Sequence, residues 1–244
     1  MPTQRGPARF GALRTRSVHP VPTMAKSDQP RTSTQARRTG EGGITPLLPL
    51  FLFETMRDLD RPDEVLEGED LAASLPRRFG LNDVVFTQIH RFREEVRRNR
   101  PQSEADVENL VRLVIRRPDA DAIFEEAGRR LARRAWEQRS TALRRLVGVM
   151  PPALALRAAR KALQRLFRQI VGRGELKIGR RQIAVRIRSS FTARADPGGA
   201  ACALYAGAFA ELMEQYTGRG HRAEHAACEG RGAAACEWTV LVRG

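Results

Sequence analysis

The sequence predicts an α+β fold in which helices come first and a small antiparallel sheet follows. Apolar residues recur at three- and four-residue steps from about residue 81 to residue 170, which is the spacing of amphipathic helices. The period then changes to two, and the remaining segments follow the order strand, strand, helix, strand, strand. Strands that return antiparallel around one helix favour a sheet covered by helices on one face.

Composition divides the chain into three regions. Residues 1–43 carry eight Arg or Lys against Asp28 and Glu41 and show no periodicity. Such a segment buries too little apolar surface to offset its ordering entropy, so we predict a disordered basic tail. Residues 44–80 form an acidic lead-in that we expect to be partly ordered and to lie against the basic body. Residues 81–244 hold the folded domain.

The first two helices of this domain have clear starting signals. One follows a cap at Asn82 or Asp83, and the next begins at a capping box that Ser103 forms with Asp106.

Two longer helices complete the helical half. The third begins after Pro118, and its pattern leaves open whether it continues to Val147. The fourth opens at Pro151 and ends before Gly172. Its predicted apolar stripe consists of Leu156, Ala159, Leu163, Leu166, Phe167 and Ile170.

The sheet half begins where Ile183, Val185 and Ile187 alternate with polar or small residues. Residues 176–178 are the expected hairpin partner of this strand. A turn at 196–199 leads into a helix over 201–216, and two further strands are predicted over about 221–227 and 236–242.

Charge and cysteine content restrict the function classes. The net charge of +15 fits a polyanion, an anionic membrane surface or an anionic ligand as partner, and it fits an arginine-rich proteome equally well. Three cysteines do not make a secreted disulfide framework, which favours a cytoplasmic protein. The longest apolar run, residues 44–53, is too short to span a bilayer. We expect no transmembrane segment, while peripheral membrane contact and a homodimer stay open.

All three cysteines lie near the end of the chain, with one histidine among them. The spacing is Cys202-x22-His225-x2-Cys228-x7-Cys236. Three thiolates and one imidazole are a complete ligand set for a structural zinc ion, because four such ligands fill the tetrahedron and leave no position for water. The spacing alone also fits three buried cysteines that act as small apolar residues.

These residues and their neighbours resemble the 4-vinyl reductase domain family. The resemblance rests on Cys202-Ala-Leu-Tyr-Ala-Gly207, on Glu224-His-Ala-Ala-Cys228 and on Cys236-Glu-Trp238. It implies a small-molecule-binding domain, found in proteins of bacteriochlorophyll synthesis and in aromatic-responsive sensors, with a fold related to TRAPP subunits.

The resemblance also implies a metal site with one departure. Zinc-bearing sensor members of the family use a Cys near the helix start, a Glu on the following strand and two further Cys. His225 stands here at the position of that Glu, and Glu224 is one residue away. Strand alternation turns Glu224 to the opposite face, so His225 is the expected fourth ligand and Glu224 the alternative.

In this family the ligand lies in an apolar pocket among the helices and the sheet. The resemblance implies five candidate ligand-binding residues here, namely Phe86, His90, Phe124, Trp136 and Tyr205. Each taken singly is as well explained as a core or surface residue.

Two functions follow as hypotheses. The first is a zinc-clamped binding protein for a hydrophobic ligand such as a tetrapyrrole, with an accessory or carrier role in 8-vinyl reduction. No catalytic residue is assigned, because the chain shows no dinucleotide-binding GxGxxG motif and no flavin motif; turnover stays open. The alternative is a sensor or adaptor for small aromatic effectors that acts through a separate regulatory partner. The sequence shows no helix-turn-helix signature, which disfavours sequence-specific binding of nucleic acid.

Overall fold

The computed structural model describes residues 43–60, 82–179 and 183–242. The predicted basic tail therefore lies almost wholly outside the described residues, as does the lead-in beyond residue 60. The helices are α1 (Leu47–Leu59), α2 (Asn82–Arg97), α3 (Glu104–Val114), α4 (Ala120–Glu137), α5 (Thr141–Gly148), α6 (Pro152–Ile170), α7 (Phe191–Ala195) and α8 (Ala203–Thr217). The strands are β1 (Glu175–Ile178), β2 (Ala184–Arg188), β3 (His221–Ala227) and β4 (Cys236–Val242).

The predicted α+β class is confirmed. The four strands form one antiparallel sheet in the order β1-β2-β4-β3. Helix α8 contacts β3 and β4, and α6 contacts β1, so helices cover one face of the sheet. Val185, Ile187 and Trp238 point into this layer and are fully buried. The opposite face carries polar pairs such as Arg186 with Glu237, whose charged atoms lie 3.1 Å apart.

The predicted starting signals act as expected where the structure describes them. The Ser103 hydroxyl accepts a hydrogen bond from the Asp106 amide at 3.1 Å and donates to the Asp106 carboxylate at 2.6 Å. Both bonds stabilise the first turn of α3, which has no earlier carbonyls to pair with.

The segment after α4 settles the length that the sequence left open. Helix α4 ends at Glu137, and Ser140 caps a separate helix α5 by accepting from the Leu143 amide at 3.3 Å. The apolar period continues across this break, so periodicity alone could not locate it.

Helix α1 shows how an acidic segment lies against a basic body. Pro49 lies in its first turn, where a missing N–H costs no intrahelical bond. Two acids at its end pair with arginines of the domain, Asp58 with Arg130 at 2.8 Å and Asp60 with Arg117 at 2.6 Å.

The closest helix packing in the domain joins α4 to α8. Gly128 of α4 faces the Leu204 carbonyl of α8, and Gly207 of α8 faces the Glu125 carbonyl of α4. A Cβ atom at either glycine would overlap the opposite backbone oxygen. The two helices can therefore pack backbone against backbone only because both positions lack a side chain.

An aromatic cluster fills the space between α8 and the sheet. The ring of Tyr205 lies 5.3 Å from Trp238, 5.8 Å from Phe167 and 6.4 Å from Phe191, measured between centroids. All four side chains are fully buried, so this cluster anchors α8 over the sheet.

We expect Gly128→Ala and Gly207→Ala each to lower the free energy of unfolding by about 3 kcal/mol, because the new methyl group forces the α4 and α8 backbones apart. Gly148→Ala is the matched control, since a Cβ there meets nothing within 4 Å and alanine favours helix. Denaturant unfolding measures all three. Equal stability of the Gly128→Ala and Gly148→Ala variants would contradict this packing.

Candidate metal centre

Three elements bring the cysteines and the histidine together. Cys202 ends a short 3-10 turn that leads into α8, and His225 lies in β3. Cys228 follows β3 directly, and Cys236 is the first residue of β4. The centre therefore joins the start of α8 to the β3–β4 hairpin.

A β-bulge allows His225 and Cys228 to face the same side. Residues three apart on a regular strand point to opposite faces. The β3–β4 register shifts between His225 and Ala227, so that His225 pairs with Trp238 and Ala227 pairs with Glu237. One extra residue reverses the alternation, and Cys228 enters the cluster beside His225.

The four ligand atoms form a compact group. The three Sγ atoms and one imidazole nitrogen all lie within 4.8 Å of one another, and the sulfurs of Cys202 and Cys236 are 3.8 Å apart. Tetrahedral zinc with Zn–S bonds of about 2.3 Å places two sulfurs about 3.8 Å apart. The arrangement matches a metal site, and all three cysteines are free thiols.

The thiols are buried and electrostatically coupled. The Cys202 thiol is hydrogen-bonded to the Cys236 sulfur, and this bond together with burial raises the pKa of Cys202. The same bond lowers the pKa of Cys236 to about 5, although burial opposes the shift, and His225 and the Glu229 amide also favour the thiolate. That amide donates to the Cys236 sulfur at 3.3 Å. At least one thiolate is thus available to a metal ion at neutral pH.

His225 completes the set as the sequence predicts. Its ring stacks on Trp238, with centroids 4.8 Å apart and planes 8° apart. Its Nε2 atom is buried and has no hydrogen-bond partner among the described residues, which is costly for a polar atom unless a further ligand satisfies it. Glu224 is exposed on the other side of β3 and does not belong to the cluster.

Neighbouring residues hold the ligands in place. The Asp196 carboxylate accepts hydrogen bonds from the amides of Gly198 at 2.9 Å and Ala201 at 2.8 Å, which fixes the turn before Cys202. Gly199 adopts a φ of +88°, and a Cβ there would lie 3.1 Å from the Cys228 sulfur.

Glu229 connects the hairpin to the rest of the sheet. Its carboxylate accepts from the amides of Ser189 at 3.1 Å and Ser190 at 3.2 Å, at the end of β2. The predicted turn at 196–199 gave a signal for Asp196, whereas no sequence pattern marks Glu229.

The five candidate ligand-binding residues occupy different environments. Phe124 and Tyr205 are fully buried in the packed core. Phe86 and His90 are exposed on α2. Trp136 is half-buried and contacts Tyr216 edge to face, with ring centroids 4.9 Å apart. The described structure does not gather these five around one cavity, and their role in binding stays a prediction.

Two cavities offer space for a small molecule. A polar groove of about 600 Å³ runs beside the metal centre, between α8 and β3, and is lined by His225, Arg222 and Arg231 among others. A more apolar cavity of about 410 Å³ lies between α5, α6 and the end of α8. Its lining includes Val147, Met150, Pro152, Ala155, Leu156 and Tyr216, with Arg144, Arg219 and His221 as polar members. We call it the α6 cavity.

Comparison with known proteins supports the family assignment. Residues 183–241 match the 4-vinyl reductase domain, which is the family that the cysteine and histidine motifs predict. The match spans β2, α7, α8, β3 and β4 and includes all four candidate metal ligands. No curated protein and no solved structure matches the chain. Among the described residues, no helix has the length and apolar content to cross a membrane.

The metal content of purified protein should distinguish His225 from Glu224. We expect about one zinc ion per chain, at least tenfold weaker zinc binding in His225→Ala, and full zinc content in the control Glu224→Ala, since only His225 lies in the cluster. Chelator competition followed by elemental analysis measures this. Loss of zinc in Glu224→Ala with retention in His225→Ala would reverse the ligand assignment.

Gly199→Ala tests the frame around the ligands. We expect its zinc affinity to fall roughly 10- to 100-fold, as for other residues that orient metal ligands, because the added Cβ displaces the Cys228 sulfur. Gly232→Ala is the matched control, because its φ of +92° imposes similar strain but a Cβ there meets nothing within 4 Å. Equal zinc affinity in the two variants would show that Gly199 contributes backbone conformation only.

Proposed function

We propose that this chain is a zinc-clamped binding protein for a hydrophobic small molecule. The observation that carries the proposal is the closed ligand set of Cys202, His225, Cys228 and Cys236 within the segment that matches the 4-vinyl reductase domain. Four protein ligands fill a tetrahedral zinc ion and leave no site for an activated water. In this proposal the metal stabilises the domain, and the bound molecule lies elsewhere.

The α6 cavity is our candidate for the ligand site. Its volume of about 410 Å³ and its largely apolar lining agree with the usual properties of small-molecule sites. The core between α4 and α8 is a poorer candidate, because Gly128 and Gly207 bring the two backbones into contact there. Trp136, one of the predicted ligand-binding residues, lies behind the cavity through its contact with Tyr216.

The polar members of the cavity favour an anionic ligand. Arg144 and Arg219 line it together with His221, and guanidinium groups bind carboxylates with two parallel hydrogen bonds. An apolar molecule with carboxylate groups, such as a propionate-bearing tetrapyrrole, has this chemistry. We therefore retain a tetrapyrrole intermediate of bacteriochlorophyll synthesis as the proposed ligand, with carriage or delivery as the role of the chain.

Titration with protoporphyrin IX, followed by its visible absorption, tests this proposal. We expect saturable binding that Leu156→Asp weakens at least tenfold, because the new carboxylate would repel an acidic ligand inside the cavity. Leu154→Asp is the matched control: both leucines are partly exposed on α6, Leu156 at 41% and Leu154 at 46%, but only Leu156 lines the cavity.

The outcomes separate the two functional hypotheses. Equal affinity of both variants for the porphyrin would exclude the α6 cavity. Binding of phenol by the parent protein, with no spectral change on porphyrin addition, would instead support a sensor of small aromatic effectors.

A further inference from the structure

The turn between α5 and α6 exposes an unusual number of aliphatic side chains. Leu146 is 53% exposed, Val149 is 81% exposed, and Leu154 and Leu156 are exposed as well. Pro151, Pro152 and Ala153 lie between them and also face solvent. We call residues 146–156 the α5–α6 tip. The sequence placed Leu156 in the buried stripe of α6; this expectation is wrong, because Leu156 lies at the border of the buried face.

The segment that contains the tip has no acidic residue. Residues 138–174 hold nine Arg or Lys and no Asp or Glu. Arginines outside this segment are commonly paired, for example Arg129 with Glu125 at 2.7 Å and Arg130 with Asp58 at 2.8 Å. Within the segment, and counting only partners that the structure describes, Arg173 alone pairs with a carboxylate. A general excess of arginine does not produce this segregation.

The basic side chains lie next to the tip and continue along one face of α6. Arg145 precedes the tip on α5, and Arg157, Lys161, Arg165 and Arg168 follow it at three- and four-residue steps. All five are exposed. The opposite face of α6 packs into the core through Ala159, Leu163 and Phe167. The apolar tip and the basic face therefore form one continuous surface on the outside of the domain.

We propose that the α5–α6 tip docks this chain onto an anionic bilayer. Exposed aliphatic groups next to basic residues are typical of segments that insert into the lipid interface. Val149 and Leu154 would enter the boundary between headgroups and acyl chains, and the flanking arginines would contact lipid phosphates. Each basic side chain near an anionic membrane strengthens binding by roughly fivefold.

Two other occupants explain the surface less well. A nucleic acid backbone would satisfy the arginines but offers no apolar layer for Val149, the most exposed of the aliphatic residues given above. A second copy in a twofold interface would bring two sets of like charges together, which is repulsive. An anionic bilayer provides both an apolar layer and negative charge.

Docking at the tip would also bring the α6 cavity close to the lipid. Met150, Pro152 and Leu156 belong to both the tip and the cavity lining. A hydrophobic ligand could then pass between bilayer and protein with little exposure to water. Membrane docking does not rest on the proposed ligand, and it can be measured on the full chain without any ligand.

Vesicle flotation with the zinc-loaded full chain tests the docking surface. The probes are vesicles of phosphatidylcholine alone and of phosphatidylcholine mixed with phosphatidylglycerol. We expect binding only to the mixed vesicles. Arg145→Glu with Arg157→Glu should weaken it roughly thirtyfold or more, at about fivefold for each lost basic side chain. Val149→Asp with Leu154→Asp should weaken it at least tenfold, because two carboxylates oppose insertion.

Matched controls separate the surface from charge and hydrophobicity in general. Arg98→Glu with Arg116→Glu makes the same change in net charge at exposed arginines outside the segment. Val84→Asp with Leu113→Asp changes the same residue types at exposures of 59% and 54%. Both control pairs should bind mixed vesicles within about twofold of the parent, and circular dichroism should show all four double variants folded.

Three results would overturn the proposal. The first is no binding to mixed vesicles by the parent chain. The second is binding that the Arg145 and Arg157 changes abolish but the Val149 and Leu154 changes leave intact, with equal retention on duplex DNA, which would indicate a surface for polyanions. The third is a dimer in solution that Val149→Asp with Leu154→Asp dissociates, which would assign the tip to a second copy.

Discussion

The contact between α4 and α8 is the constraint on which the arrangement of this domain depends. Gly128 and Gly207 let the two backbones touch, and this contact fixes α8 between the helical half and the sheet. The position of α8 then determines two other features. Its first residues carry Cys202 to the β3–β4 hairpin, and its aromatic face, through Tyr205, meets Trp238 and Phe167 over the sheet.

The metal centre acts on the same unit from its other end. Without a further bond, the start of α8 and the β3–β4 hairpin would be held by the aromatic cluster and by the hydrogen bonds of Asp196 and Glu229. A zinc ion shared by Cys202 and the three hairpin ligands would join these elements directly. This explains why a cluster with no open coordination position lies in the segment that matches the 4-vinyl reductase domain.

Much of the fold could be predicted from the sequence, because the apolar period changes clearly from helical to alternating near residue 183. The four candidate metal ligands were also predictable, since spacing and resemblance agree on them. Other features were not. The β-bulge after His225 is a change of register that the sequence does not announce, and the break between α4 and α5 leaves the apolar period intact. The roles of Gly128 and Gly207 depend on a partner helix about 80 residues away, so no local pattern could reveal them.

The central claim is that three cysteines and His225 hold one zinc ion in a closed site. X-ray absorption at the zinc edge of the purified protein tests it most directly. The account predicts three sulfur ligands at about 2.3 Å and one nitrogen ligand at about 2.0–2.1 Å, unchanged when Glu224 is replaced by alanine. A spectrum that requires an oxygen ligand in place of the nitrogen, or protein that binds no zinc, would contradict it.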